Sequence, residues 1–246
     1  MLTILTMLGI ITPMINYSNT PNIAIIPARS GSKGLKDKNV KILNSKPLIA
    51  YTIDAAIQSN LFDRIIVSTD SVKYAQIAKT YGADVPFLRS KKNSKDKSTT
   101  WDVVNEVISK IDKKYNTVVL LQPTSPLRTA EDIKNAYTIF TDKNADSVVS
   151  VCETEHPPYW CNTLNENLSM KNFVQKKYQI PRQFLPKQYI VNGAIYIVKT
   201  NLLNNPNLYG KNSYAYIMNK INSVDIDDIT DFLVAEQILK LQDAKI

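Results

Sequence analysis

The sequence predicts an α/β protein: a doubly wound, mainly parallel sheet covered by helices on both faces, with a β-rich lobe inserted late in the chain. Three observations carry that expectation. From Asn22 onward, short β-branched runs alternate with amphipathic segments, the rhythm of strand, crossover helix and parallel strand. The strand candidates are continuous apolar runs, as strands buried on both faces require. The rhythm then breaks between residues 152 and 190, where prolines, polar residues and several aromatics replace helical periodicity.

Ile23-Ala24-Ile25-Ile26 is the first strand, and a polar, glycine-containing loop follows from Ala28 to Asn39. Pro47 opens a helical stretch through Asn60, since its fixed φ suits a first turn and Leu48, Tyr51 and Ala55 recur near helical spacing. Arg64 to Ser68 is the next strand. Ser71 is placed to cap a helix reaching Tyr81, and Gly82 stands where a left-handed residue would end it. Thr99-Thr100-Trp101-Asp102 has the form of a capping box and starts a helix to about Lys114; Thr117 to Leu121 then returns as a buried strand. Thr129 to Asp132 opens another helix in the same way. Ser147 to Val151 and Gly193 to Val198 are further core strands, and an amphipathic helix from Asp228 to Asp243 closes the chain.

The 246 residues, 44% hydrophobic and 21% charged, suit one core with an insertion rather than a disordered chain. The expected organisation is an N-terminal extension, 1–20, and one domain, 21–246, with its inserted lobe at about 152–190. Met1 to Ile15 is apolar, yet it has no basic leader and no small-residue cleavage site, and Thr3, Thr6, Gly9, Thr12 and Pro13 interrupt it. No export signal and no membrane partner are expected from it. Cys152 and Cys161 lack zinc-like spacing and read as packing residues in a reducing, cytoplasmic compartment. The net charge of +8 attracts polyanions, nucleotides as well as nucleic acid, but the lysines are scattered without interleaved aromatics and read as a solvated polar face, so no nucleic-acid partner is expected.

The loop Pro27-Ala28-Arg29-Ser30-Gly31-Ser32-Lys33-Gly34-Leu35-Lys36-Asp37-Lys38-Asn39 follows a buried strand, where ligands bind in an open α/β sheet. Its small residues let backbone N–H groups approach phosphate oxygens while Arg29 and Lys33 offset their charge. It fits neither the Walker spacing nor the dinucleotide G-x-G-x-x-G. From composition alone, glycines that merely turn the chain and solvated lysines explain it as well. Asp225 and Asp227, two apart, would face the same side of an extended segment and suit Mg²⁺; an equally local reading is that such aspartates begin the last helix.

The loop, with Lys38-Asn39, resembles the nucleotide loop of the acylneuraminate cytidylyltransferase family, the CMP-sialic acid synthetases. Further signatures occur in order: Ile66-Val67-Ser68-Thr69-Asp70, Val85-Pro86-Phe87-Leu88-Arg89, Leu121-Gln122-Pro123-Thr124-Ser125-Pro126-Leu127-Arg128, Val191-Asn192-Gly193-Ala194-Ile195-Tyr196 and Asp225-Ile226-Asp227. The resemblance implies a Rossmann-like nucleotidyltransferase fold and transfer of CMP from CTP to the anomeric hydroxyl of a nonulosonic, 2-keto sugar acid. It implies that Arg29, Lys33 and Gln122 serve catalysis, and that Ala28, Arg29, Ser30, Gly31, Lys33, Lys38, Asn39, Arg89 and Thr99 bind the nucleotide. For Thr99 a helix cap is an equal alternative.

It further implies that Gln122, Ser125, Arg182 and Asn192 bind the sugar, with Arg182 offering its guanidinium fork to a carboxylate. Asp225 and Asp227 would hold Mg²⁺ or another divalent cation such as Mn²⁺. Relatives of this kind are homodimers, so the lobe is expected to serve dimerisation. Competing readings are a Kdo cytidylyltransferase, whose typical Gln-Gly-Asp-Glu-Pro is absent at Gln122 to Pro126, a non-catalytic nucleotide or sugar binder, and a nucleic-acid binder driven by charge.

Overall fold

The computed structural model describes residues 21–32 and 34–244, so the N-terminal extension 1–20 and Lys33 lie outside the described residues. Strand β1 (Asn22–Pro27) leads through the polar loop to a small hairpin, β2 (Ile42–Leu43) and β3 (Lys46–Pro47), and then to helix α1 (Leu48–Ser59). Next come β4 (Arg64–Ser68), α2 (Val72–Thr80), α3 (Thr100–Lys110), β5 (Thr117–Leu121), α4 (Ala130–Asp142) and β6 (Ser147–Glu153). The chain ends with β7 (Tyr189–Lys199), β8 (Ser213–Ile217) and α5 (Ile229–Asp243).

The main sheet has the order β4-β1-β5-β7-β6-β8. Strand β1 pairs in parallel with β4 and β5, and β6 in parallel with β8, while β7 runs antiparallel to both β5 and β6. The sheet is therefore mixed and mainly parallel, with one reversed strand. Alternation along β1 explains the layering, because successive side chains leave opposite faces. Ala24 and Ile26 meet Ile49 and Ile53 of α1, Ala75 and Ala78 of α2, and Ile133 and Tyr137 of α4. Ile23 and Ile25 face the other way, towards Val104 and Val107 of α3. Helices thus cover both faces, as the doubly wound expectation required. Helix α5 covers neither: it buries Phe232 and Ala235 against Leu43, Leu48 and Ile226, at the small hairpin.

The local signals hold where they rest on a specific bond. Ser71, Thr99, Thr129 and Asp228 are all N-caps that accept a hydrogen bond from the following turn, and the last three form capping boxes with Asp102, Asp132 and Asp231. Gly82 has φ +90, the left-handed conformation expected at the end of α2. Helix α3 stops at Lys110, short of Lys114, because Ile111 turns extended and the chain bends to bury Tyr115 in the core.

The inserted lobe needs a larger correction. Between Glu153 and Tyr189 there is no strand; the segment contains three short 3-10 turns, Pro158–Trp160, Lys176–Tyr178 and Arg182–Phe184. Pro157, Pro158, Pro181 and Pro186 remove backbone donors that a ladder needs. Pro157 is the only buried residue in this stretch, and order comes from Tyr159 stacked on Tyr178 at 4.0 Å and from the Trp160 indole donating to the Tyr178 carbonyl.

Candidate nucleotide site

The parallel strands β1, β4 and β5 end at one edge of the sheet, and their following loops enclose a cavity of about 540 Å³. The loop after β1 is tied down at its start. The Ala28 N–H donates to the Ser68 carbonyl at 2.9 Å, extending the β1–β4 ladder by one step. Asp70, just past β4, then accepts both the Ser30 N–H at 2.9 Å and the Ser30 hydroxyl at 3.1 Å. At the far end of the loop Asn39 is buried and its amide donates to the Arg29 carbonyl at 3.0 Å. Asp37, left-handed at φ 54, accepts the Tyr74 hydroxyl, and burial together with that carboxylate raises the phenol pKa well above its ordinary value. Asp70 belongs to a quoted motif but received no role there. Its signal was an acidic residue directly after a strand and beside a cationic loop.

Arg29 and Arg89 both line this cavity. Arg29 is partly exposed and its Nη1 pairs with Asp96 at 2.7 Å. Arg89 is buried; its Nε donates to the Ser68 hydroxyl at 3.1 Å and its Nη2 to the Ser68 carbonyl. Desolvation brings its pKa down to about 10, so it stays charged at neutral pH. The Asp96 side of the cavity is the loop 90–98, held by buried Glu106, which accepts from the Ser90 N–H, the Ser90 hydroxyl, Asn93 and Lys110. Thr99 lines the cavity, but its hydroxyl both accepts from the Asp102 N–H and donates to the Asp102 carboxylate. The capping role therefore uses the group that a base contact would need.

The acidic pair lies against the cationic loop. Lys38 Nζ donates to the Ile226 carbonyl at 2.5 Å and approaches Asp227 Oδ1 at 3.4 Å. Gly34 has no room for a side chain, since a Cβ there would sit 2.5 Å from the Asp227 carbonyl oxygen. Ile226 is fully buried while Asp225 and Asp227 flank it on the exposed side, as alternation in an extended segment dictates. The Ile226 N–H donates to the Thr124 carbonyl at 2.8 Å, which fastens this segment to the loop after β5. Although the Asp225 residue opens to solvent, packing around its carboxyl raises the pKa; a Thr124 hydrogen bond opposes the shift and the Asp227 charge adds to it. Asp228, not Asp227, caps α5.

Two carboxylates in mutual repulsion beside a loop suited to phosphate fit a hard divalent cation that takes its remaining ligands from phosphate and water. Among the described residues there is no cluster of three or more His, Cys, Asp or Glu side chains that would hold a metal unaided.

On the other side of the cavity stand Gln122 and Thr124, at the carboxyl end of β5. The remaining expected sugar contacts do not join them. Ser125 is fully buried, and its hydroxyl has no partner among the described residues. Asn192, within the interior strand β7, is buried as well: its side chain accepts from the Ser150 hydroxyl and donates to the Ser223 hydroxyl. Arg182 sits in the lobe beside Glu153 and Lys187, on a separate cavity of about 330 Å³. A larger cavity of about 890 Å³ opens at the opposite edge of the sheet, around Asn116 and Lys199. It contains neither the loop nor the acidic pair, so the smaller cavity is the candidate site. Among the described residues, no helix is long and apolar enough to cross a membrane.

A mainly parallel α/β sheet whose strand ends gather a small-residue cationic loop and two carboxylates defines a nucleotide-handling protein. The Cytidylyltransferase family matches residues 23–243, and this chain belongs to it. It is 42% identical over 218 residues to N-acylneuraminate cytidylyltransferase of Escherichia coli, a match that covers 88% of this chain and 51% of that protein. The chain thus spans about half the length of that relative. It is 38% identical over 230 residues to CMP-N,N'-diacetyllegionaminic acid synthase of Legionella pneumophila, covering 89% and 96%. It is 32% identical over 224 residues to pseudaminic acid cytidylyltransferase of Campylobacter jejuni, covering 89% and 97%. Among solved structures, CMP:2-keto-3-deoxy-manno-octonic acid synthetase complexed with CTP superposes with a TM-score of 0.69 at 15% identity, covering 91% of this chain and 100% of that one. That likeness concerns the fold alone.

Proposed function

We propose that this chain transfers CMP from CTP to the anomeric hydroxyl of a nonulosonic acid and releases pyrophosphate. The carrying observation is the contact between the loop after β1 and the segment Asp225 to Asp227, made through Lys38 and Gly34 beside one cavity. That arrangement suits a metal-bound triphosphate, with cations for its oxygens and carboxylates for its metal. Curated relatives named for sialic, legionaminic and pseudaminic acids support the acceptor class.

In the transfer, the anomeric oxygen bonds to the α-phosphorus in line, the bond from that phosphorus to the β-phosphate oxygen breaks, pyrophosphate leaves with that oxygen, and the hydroxyl proton passes to solvent. Arg29 and Lys33 stabilise the charge that grows on the leaving β- and γ-phosphates. Ala28, Ser30 and Gly31 bring backbone to the phosphates, while Lys38 and Asn39 shape the inner wall. Arg89 lies where the base is read. Asp225 and Asp227 would hold Mg²⁺, or Mn²⁺, which when bound offsets phosphate charge. Gln122 orients the acceptor.

Arg182 fits this scheme through a second copy of the chain. Its lobe is almost wholly exposed and carries Phe184 and Ile190 on its surface, so in a homodimer it would extend to the partner's acceptor side. A cytoplasmic location follows from the use of CTP and agrees with Cys152 and Cys161 being free thiols.

The test is pyrophosphate release by the purified chain with CTP and Mg²⁺, across N-acetylneuraminate, legionaminate, pseudaminate and Kdo. Turnover with a nine-carbon acid supports the reading. Turnover with Kdo alone moves the assignment to the eight-carbon class, and failure to bind CTP in the presence of divalent metal removes it.

A further inference from the structure

The loop after β5 contains a charge placed where it does not benefit stability. Arg128 is only 2% exposed, and its guanidinium Nη1 donates to the Gln122 and Ala194 carbonyls, each at 3.1 Å. Among the described residues its Nε and Nη2 have no partner, and the adjacent Ser125 hydroxyl has none either. Asp132 attracts the guanidinium, but its oxygens are engaged by Thr129, Tyr216 and Asn222. A buried cation with two unpaired nitrogens is unfavourable, and an apolar side chain of similar length usually serves a core as well or better.

The position of the two carbonyls explains the charge. The antiparallel ladder between β5 and β7 ends with Leu121 opposite Ile195, so Gln122 and Ala194 would form the next step. That step is not made. Pro123 has no N–H with which to continue, and Gly193 turns the opposite chain at φ +74. One guanidinium nitrogen bridges the two carbonyls at the point where the strands part. Two successive turns follow, the first closed by the Ser125 N–H on the Gln122 carbonyl and the second by the Arg128 N–H on the Ser125 carbonyl; Thr124, inside the first, holds Ile226 through its carbonyl and Asp225 through its side chain.

We propose that Arg128 is a positioning residue for the transfer, fixing the turn that presents Gln122 to the acceptor side. The proposal rests on the reading of Gln122 given under Proposed function. Arg128 does not line the nucleotide cavity and acts through the backbone it clamps.

The experiment compares wild type with Arg128→Met, a neutral residue of similar length, and Arg128→Lys, whose ammonium can donate to both carbonyls. Each full-length protein is examined by thermal melting, by CTP binding with Mg²⁺, and by steady-state kinetics with the best acceptor. Arg128→Met is expected to fold and to bind CTP within about twofold of wild type, while kcat falls about tenfold or more and the acceptor KM rises. Arg128→Lys should recover most of both. Wild-type kinetics in Arg128→Met, a parallel loss of CTP affinity, or no rescue by lysine would overturn the proposal. Should Arg128→Met not fold, Arg128→Gln takes its place; if neither neutral variant folds while lysine does, Arg128 serves stability and the proposal fails. A wild-type protein that turns over no acceptor refutes instead the function on which this rests.

Discussion

Substitution of Gly34 by alanine tests whether the first loop and the last acidic segment must touch. The added Cβ would lie 2.5 Å from the Asp227 carbonyl oxygen and 3.6 Å from its carbon, and backbone atoms cannot swing aside as a flexible side chain can. To reach the 3.4 Å at which ordinary contact begins, loop and segment must part by about 0.9 Å. A displacement of about 1 Å in groups that orient reacting atoms can cost about 100-fold in rate, about 2.7 kcal/mol of barrier. The loop keeps its other attachments, at Ser30 to Asp70 and Asn39 to Arg29, so the melting temperature should change little. Initial rates of pyrophosphate release, measured against CTP and then against Mg²⁺, read the effect. The expected result is a loss near 100-fold with a weaker metal response. A folded Gly34→Ala protein within about threefold of wild type would refute the reasoning, because the approach of Gly34 to Asp227 would then be incidental.

Two further substitutions separate charge from scaffold. Arg29→Ala should lower kcat by about 100- to 1,000-fold, the range for one lost donor to developing charge. Its ion pair with Asp96 is partly exposed, so the melting curve should move by less than about 1 kcal/mol equivalent, and a variant with near-normal turnover would remove Arg29 from the transfer. Glu106→Gln addresses the loop 90–98. Burial disfavours the Glu106 carboxylate, but hydrogen bonds from Lys110, Asn93 and Ser90 outweigh it and hold the pKa below its ordinary value. A folded-state pKa below the unfolded one gives stability that is complete above the unfolded pKa and is lost as pH falls through the folded one. The variant should therefore be less stable near pH 7 by about 1–2 kcal/mol, with the gap to wild type closing in acid, as followed by thermal melts across pH. A constant gap at all pH values would contradict this.

The parts of the fold that were legible in the sequence are those written in local chemistry. Ser71, Thr99, Thr129 and Asp228 begin helices because a side-chain oxygen next to free N–H groups is a short-range requirement. The buried runs of β1 and β5 were equally plain, since a strand covered on both faces can carry only apolar residues. Strand β8 was not seen. Ser213-Tyr214-Ala215-Tyr216-Ile217 lies at the sheet edge, half open to water, so it carries no continuous apolar signature, and its pairing to β6 is a contact across more than sixty residues. The lobe was misread for the converse reason: aromatics at Tyr159, Trp160 and Tyr178 suggest strands, but they stack on each other while the prolines keep the backbone out of any ladder.

For the site, a motif names residues more reliably than it says which atoms face the ligand. Arg29, Lys38, Asn39, Arg89, Thr99, Gln122 and Asp227 do share one cavity. Ser125 and Arg128 belong to the same run as Gln122, yet both point inward, because the turn after β5 reverses within a few residues and half of any reversing segment must face the core. The motif accordingly points to Ser125 as a sugar contact and gives Arg128 no role. A tight turn at a ligand site has two populations of polar residues, one that meets the ligand and one that holds the first in place. Only burial and hydrogen bonding tell them apart, which is why Asp70, Glu106 and Arg128, all of them anchors rather than contacts, became visible only once the chain was folded.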